Sequence, residues 1–256
     1  MDRKLQTEAL KRVEVGDIWG IGRANSAKLK QMGINTALQF RDYKNDRQIK
    51  KVFTKVGLQT KEELSGQPRF ELELVPKKKK EIISSRTFGS TIEGMDPLRE
   101  SVANYVSAAC EKLRRQDSVC SSVEVYIRTS PFKNTPQYFA IDSAYMLSAT
   151  ADTRKVIKYA VTVLEKLYRA GYQYKKAGIK LSTLNDSTQA QMSLMEAPDS
   201  LKTDALMKCI DSINAKEGPR TIFSGACGVH NKAWAMNREY KSPRYVSGWN
   251  QLPDAK

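Results

Sequence analysis

The spacing of apolar residues divides the chain into segments with different periods. In residues 13–66, apolar side chains recur three or four positions apart, as at Ile49, Val52 and Phe53. This spacing is typical of short amphipathic helices. One helix is expected over residues 24–32, where Gly33 ends it. The segment therefore predicts a small all-helical domain.

Two glycines frame one apolar residue in the run Ile18-Trp19-Gly20-Ile21-Gly22. Glycine permits a positive φ, so this run predicts a tight turn into the next helix, as in a helix-hairpin-helix. The amides at that helix N-terminus suit a phosphate, and Arg23, Lys28 and Lys30 follow. The third glycine of a dinucleotide fingerprint is missing, because position 25 is Asn25. A turn that only packs two helices fits the same spacing.

Residues 81–182 alternate between the periods of strands and helices. Within Val123–Arg128, for example, every second residue is apolar, which predicts a half-buried strand. The order of elements is β-α-β-β-α-β, the split βαβ plan, with two helices on one face of a four-stranded sheet. The other face is expected to be open, with Arg86, Arg128 and Lys180 pointing outward. The same pattern also fits a purely structural sheet whose solvent-exposed face is basic but binds no ligand.

The two remaining segments have neither pattern. Residues 67–80 end in Lys77–Lys80 and predict a basic linker. Its lysines are either solvated or lie along the phosphates of a nucleic acid. Residues 183–256 are mixed and rich in aromatic side chains, and they predict a small mixed C-terminal region. The expected fold class is therefore α+β and multidomain.

Charge narrows the classes of partner. The chain has 256 residues, a formal net charge of +15 and a pI near 9.6, which favours a polyanion such as nucleic acid. No apolar run is long enough to cross a membrane and no signal peptide is recognisable, so we expect no membrane partner and a cytoplasmic location. Four cysteines without a C-x-x-C pair and a single histidine, His230, predict no metal site.

Five stretches match one family in its own order. Together they resemble the UmuC type of Y-family, error-prone DNA polymerase, the catalytic subunit of DNA polymerase V. The stretches are Val15–Gly22, Ser84–Gly89, Arg128–Phe132, Asn214–Gly218 and Ser242–Tyr245.

The resemblance implies a division into domains. Residues 1–12 are expected to be a remnant of the junction to the palm, and residues 13–66 the helix-hairpin-helix thumb. Residues 67–80 would be the linker, and residues 81–182 the little-finger domain. Residues 183–256 would be the C-terminal region specific to this type.

The resemblance also implies contacts with the phosphates of primer-template DNA from both the thumb and the little finger. The residues expected to make them are Gly20, Gly22, Arg23, Lys28, Arg86, Arg128, Thr129 and Lys133.

A short peptide in the C-terminal region resembles the segment by which such polymerases dock on the sliding clamp. It consists of Gln191, Met192, Ser193, Leu194 and Met195. Met192 and Met195 stand where leucine and an aromatic residue are common. Methionine fills such a pocket but anchors less rigidly.

Catalytic residues are not expected in this chain. The family holds Mg²⁺ with palm carboxylates upstream of the thumb, and the one similar pattern, at Asp142, is followed by Ser143 and lies on a predicted little-finger strand. We therefore expect no catalytic residue and no cofactor. The chain alone should be inactive, as the DNA-binding portion of a translesion polymerase of the SOS response.

The family further implies the UmuD′ dimer and RecA as partners, and association with the bacterial nucleoid. Two alternatives remain open. One is a free-standing, non-catalytic accessory or decoy that binds DNA and clamp. The other is a glycosylase of the helix-hairpin-helix type using Lys50 or Lys51, although nothing places these lysines in a base-flipping pocket.

Overall fold

The chain folds into two units, Met1–Lys77 and Lys78–Lys256, in a computed structural model. The structure describes residues 3–70, 72, 77–189, 199–229, 234–235, 242–243 and 252. None of the helices within these ranges is long and apolar enough to cross a membrane.

Helices alone make up the described part of the first unit. Their apolar faces meet in one core around Val15, Leu29, Phe40 and Ile49, as the helical spacing predicts. The elements are α1 (Arg3–Arg12), a 3₁₀ turn (Val15–Asp17), α2 (Arg23–Gln31), α3 (Ala37–Asp42) and α4 (Asp46–Leu64).

Residues 3–12, which the resemblance places at a domain junction, form α1 and belong to this unit. The Gln6 side-chain amide donates a hydrogen bond to the Leu64 carbonyl at 3.2 Å. The end of α4 is thereby tied to the start of the chain.

The ends of α2 and α3 follow from local sequence. At the end of α2, Gly33 has φ +79° and the Ile34 amide donates to the Leu29 carbonyl at 2.9 Å, a Schellman motif. At the start of α3, Thr36 and Gln39 form a capping box. Both signals stand within six residues of sequence, so they are readable without the fold.

In the second unit, a four-stranded antiparallel sheet has the order β1-β4-β2-β3. Because β4 separates the parallel strands β1 and β2, and β2 separates β3 and β4, both βαβ units are split as predicted. The elements are β1 (Ile82–Ile92), α5 (Met95–Arg115), β2 (Ser118–Thr129), β3 (Phe139–Thr150), α6 (Thr153–Leu167), β4 (Tyr174–Asp186) and α7 (Leu201–Glu217).

Helices α5 and α6 cover one face of the sheet and bury its apolar side chains. Val123, Val125 and Ile127 of β2 are fully buried there, whereas Tyr126 and Arg128, which alternate with them, are half-buried on the other side. We call that other side the open face. The alternation predicted for β2 is confirmed.

The register corrects the position of Arg86, which we expected on the open face. Arg86 pairs with the buried Ala177, so it extends from the helix-covered face at the edge strand β1. Its neighbour Thr87 pairs with Lys176 and belongs to the open face. Adjacent strand residues point to opposite faces, so the expectation was wrong by one position.

Two residues of the predicted linker are held by the second unit. Lys78 pairs with Asp186 at the end of β4, with Nζ and Oδ2 2.6 Å apart, and this hydrogen bond lowers the pKa of Asp186 to about 2. The Lys79 backbone exchanges hydrogen bonds with the Gln116 side chain. These two lysines are therefore held at the sheet domain, although all four lysines of Lys77–Lys80 are exposed.

Helix α7 packs against α5 through an ion pair. Arg114 donates two hydrogen bonds to the Asp211 carboxylate, at 2.6 and 2.7 Å, and a third to the Ala151 carbonyl at 2.8 Å. The Trp234 ring meets Tyr105 edge-on, with centroids 6.0 Å apart. Through Asp211 and Trp234, the described part of the C-terminal region thus contacts α5.

Candidate nucleic-acid interface

The glycine turn of the first unit leads directly into α2. The Ile21 amide donates to the Ile18 carbonyl at 3.0 Å, which closes the turn. Ile21 is partly buried against the helical core, so the turn is anchored from within. Gly22 is the N-cap of α2.

The two glycines of this turn differ in what the backbone demands. Gly20 has φ +90°, a conformation that favours glycine. Gly22 has φ −76° and ψ 171°, which any residue adopts, and a methyl group at Gly22 would meet nothing within 4 Å. The fold therefore requires glycine at position 20 but gives no internal reason for it at position 22.

Backbone amides and one cationic residue, Arg23, follow Gly22 directly. The first intrahelical bond runs from the Ser26 amide to the Gly22 carbonyl, so the amides of residues 23–25 precede the α2 ladder. Arg23 begins the helix and is exposed, whereas Lys28 is exposed in its last turn, about 8 Å further along the axis. The structure thus brings Gly20, Gly22 and Arg23 together and leaves Lys28 at a distance.

Cations also line the open face of the sheet. Arg128 of β2 pairs with Lys176 of β4 in the register. Lys180 lies four positions further along β4 and forms an ion pair with Glu124, at 3.2 Å. Sequence reasoning missed Lys176, although the alternation of β4 from Lys176 to Lys180 was a signal for it.

Thr129 is the last residue of β2, and Lys133 lies in the loop that joins β2 to β3. Thr129 is only 3% exposed, and its hydroxyl donates to Gln137 Oε1 at 2.9 Å and accepts from the Tyr138 amide at 3.0 Å. The Gln137 amide donates to the Lys133 carbonyl at 2.9 Å. Thr129 thus lies inside the base of the loop, while Lys133 is exposed near its tip.

Arg86 lies apart from these residues. It lines a cavity of about 790 Å³ on the α5 side, together with Tyr105, Phe223 and Trp234. The Tyr105 hydroxyl is buried there with no hydrogen-bond partner among the described residues, and its burial raises its pKa although the charge of Arg86 opposes the shift. The sheet therefore separates Arg86 from Arg128.

The peptide Gln191–Met195 lies outside the described residues. The segment that contains it is held on both sides, by the Lys78–Asp186 pair before it and by Asp199 after it. Asp199 Oδ1 is 2.8 Å from Nζ of Lys155 on α6. Within the described ranges, no three histidine, cysteine, aspartate or glutamate side chains come together to hold a metal ion.

Comparisons with known proteins agree with this architecture. The model of the impB/mucB/samB family C-terminal domain matches residues 79–194, and a domain of unknown function matches residues 204–255. UmuC of Salmonella typhimurium is 36% identical over 255 residues, which cover 98% of this chain and 59% of UmuC. SamB of the same organism is 35% identical over 254 residues, again 98% of this chain and 59% of SamB.

A more distant similarity extends to DNA polymerase IV of Clostridium acetobutylicum, at 23% identity over 209 residues, 82% of this chain and 51% of that protein. The chain spans less than two thirds of the length of these relatives. The matched family domain contains the whole four-stranded sheet together with α5 and α6. The chain is thus similar over nearly its whole length to the C-terminal part of UmuC and SamB, and its residues 79–194 match the impB/mucB/samB family C-terminal domain.

Proposed function

We propose that this chain is the DNA-binding portion of a UmuC-like translesion DNA polymerase. Residues 13–66 serve as its thumb and residues 81–182 as its little finger. The similarity to UmuC and SamB, and more distantly to a DNA polymerase, supports this assignment. The net charge of +15 supports a nucleic-acid partner.

The observation that carries the proposal is the glycine at position 22. Its φ is ordinary and the space for a side chain is empty, so the fold itself gives no reason for glycine. Close approach of a ligand backbone is the other physical reason for a missing side chain. At an uncapped helix N-terminus next to Arg23, the ligand that fits is a phosphate.

The sheet domain adds further phosphate contacts in this proposal. Arg128 and Lys176 contact the DNA backbone from the open face, and Lys133 does so from the loop between β2 and β3. Thr129 has a supporting role, because its buried hydroxyl holds the base of that loop. Arg86 contacts the DNA backbone from the edge strand β1, on the helix-covered side of the sheet.

Nucleotide transfer is assigned to the part of the longer relatives that this chain does not span. That reaction needs carboxylates that hold two Mg²⁺ ions. This chain then contributes the grip on primer-template DNA. Clamp docking through Gln191–Met195 belongs to the same proposal, because this peptide resembles the segment by which such polymerases dock on the sliding clamp.

Binding to a labelled primer-template duplex, measured as a function of salt, tests the proposal. Each phosphate contact contributes about 0.9 to the slope of log K against log salt. Arg23→Ala and Arg128→Ala should each lower the slope by about that amount. Lys216→Ala, at an exposed lysine near the end of α7, is the matched control and should leave the slope unchanged.

Absence of duplex binding, or binding that does not weaken with salt, would overturn the proposal. Clamp docking is tested separately by gel filtration with the sliding clamp. A chain with Met192→Ala and Leu194→Ala should no longer co-elute with the clamp. If it co-elutes as the unsubstituted chain does, the peptide is not the docking segment.

A further inference from the structure

The open face carries aromatic side chains that phosphate contacts do not use. Tyr126 of β2 lies opposite Ile141 of β3, and Arg128 lies opposite Phe139. Tyr145 follows on the same face of β3, opposite Ser122. Three rings on two neighbouring strands therefore share one face with the cations of β2 and β4.

The Tyr126 ring leans across β4 over Gly178. A methyl group built at Gly178 would lie 2.5 Å from Cζ and 2.6 Å from Cε1 of Tyr126, so a side chain there would displace the ring. Gly178 is the register partner of Tyr126. The glycine thus provides the space in which the ring lies over the sheet.

The apolar side chains of β3 on this face are exposed. Phe139 is 62% exposed, Ile141 48% and Tyr145 74%. In the described structure β3 is an edge strand, and nothing described covers these side chains. Exposed apolar groups that are contiguous in this way mark a binding surface.

The charges beside the rings indicate the chemistry of the ligand. Nζ of Lys176 is 5.8 Å from the centroid of the Tyr126 ring, and Arg128 is its register partner on β2. A row of cations next to a row of rings fits a chain that has both phosphates and flat apolar groups. Unpaired nucleotides have both, because their bases stack on aromatic side chains while cations follow the backbone.

From this arrangement we infer that the open face binds single-stranded nucleic acid by stacking unpaired bases on Tyr126, Phe139 and Tyr145. Phe139 and Tyr145 are about 20 Å apart along β3, and Tyr126 lies between them, so the rings serve a short oligonucleotide. A duplex offers its backbone to cations but keeps its bases stacked inside, and so leaves the exposed rings without a role. An apolar protein partner would use the rings but would leave the cations without a role.

This inference goes beyond the proposed function, which requires only phosphate contacts. The two share Arg128 but not the three rings. The rings can therefore be removed without touching the glycine turn, and the two ideas fail separately.

The test compares two strands with equal charge. A fluorescein-labelled oligothymidylate of about ten nucleotides is titrated with the full chain, and so is an abasic strand of the same length. Stacking predicts that the oligothymidylate binds more tightly, by about tenfold for each ring engaged. Tyr145→Ser should reduce that ratio by about tenfold, and Tyr126→Leu together with Tyr145→Ser should reduce it further.

Three controls isolate the rings. Tyr126→Phe and Tyr145→Phe keep the stacking surface and should keep the ratio. Phe132→Ser removes an exposed ring from the loop after β2, outside the sheet face, and should also leave the ratio unchanged. Tyr145 is mostly exposed, so its replacement does not threaten folding, and thermal unfolding confirms this for each variant.

Equal affinity of the unsubstituted chain for both strands would overturn the inference and leave the open face to a protein partner. A preference that survives removal of Tyr126 and Tyr145 would overturn it as well. Salt-dependent duplex binding that persists in these variants supports the proposed function independently. Base-dependent binding without any duplex binding supports the inference and overturns the proposed function.

Discussion

Replacement of Gly22 by alanine separates the stability of the first unit from the phosphate binding that we propose for it. The backbone at Gly22 is ordinary and the added methyl group meets no atom, so the fold accommodates alanine. A compatible Gly→Ala change stabilises by about 0.4–1 kcal/mol, because the unfolded chain loses freedom. The melting temperature of Gly22→Ala should therefore stay the same or rise.

DNA binding should change in the opposite direction. The methyl group occupies the approach to the free amides of α2, and a hydrogen bond to a charged group is worth about 1.5–3 kcal/mol. Loss of one such contact weakens binding by about ten- to a hundredfold. The slope of log K against log salt should stay nearly the same, because Gly22→Ala removes no positive charge.

Gly20→Ala is the matched control within the same turn. Its φ of +90° makes alanine cost about 1–2 kcal/mol, so this variant should lose stability. Fluorescence anisotropy with a primer-template duplex and thermal unfolding measure both effects. If Gly22→Ala binds DNA as tightly as the unsubstituted chain, the turn does not hold a phosphate. If Gly22→Ala melts lower, the geometric reasoning is wrong.

Two further predictions concern the second unit. The Asp152 carboxylate caps α6 by accepting a hydrogen bond from the Arg154 amide. Burial alone would raise the pKa of Asp152, but the hydrogen bonds from Arg154 outweigh burial and lower this pKa. The contribution of Asp152 to the free energy of unfolding is therefore complete above the unfolded pKa near 3.9 and is lost as pH falls through the lower folded value. In acid titrations monitored by circular dichroism, Asp152→Asn should therefore show less loss of stability below pH 4. Asp152→Ala should cost about 1 kcal/mol at neutral pH, because the cap is lost. An unchanged acid profile for Asp152→Asn would contradict this assignment. Thiol labelling at pH 8, followed by mass spectrometry, should modify the exposed Cys209 and spare Cys110. Cys110 is buried, which raises the pKa of its thiol to about 12. Equal labelling of both cysteines would show that α5 is not packed as described.

Much of the local structure could be predicted from short stretches of sequence. The end of α2 at Gly33 and the alternation of β2 depend on spacing within a few residues, and both agree with the structure. The split βαβ order could be predicted for the same reason, since it only requires the type of each element in turn. The sequence permitted a positive φ at both glycines of the turn, and the structure has it at Gly20 but not at Gly22.

The pairing of strands decided on which face of the sheet each side chain lies, which the spacing of residues along the chain could not decide. The side of the sheet on which Arg86 lies depends on its pairing with Ala177, which is distant in sequence. The position of the Tyr126 ring depends on Gly178 in a strand that arrives after β3 and α6.

The sequence by itself determined the element types, the tight turn and the excess of positive charge, because periodicity and glycine conformation are local properties of the chain. Only the tertiary structure decided which charges share a surface with which rings. Strand register joins residues about fifty positions apart, and a shift of one residue moves a side chain to the opposite face.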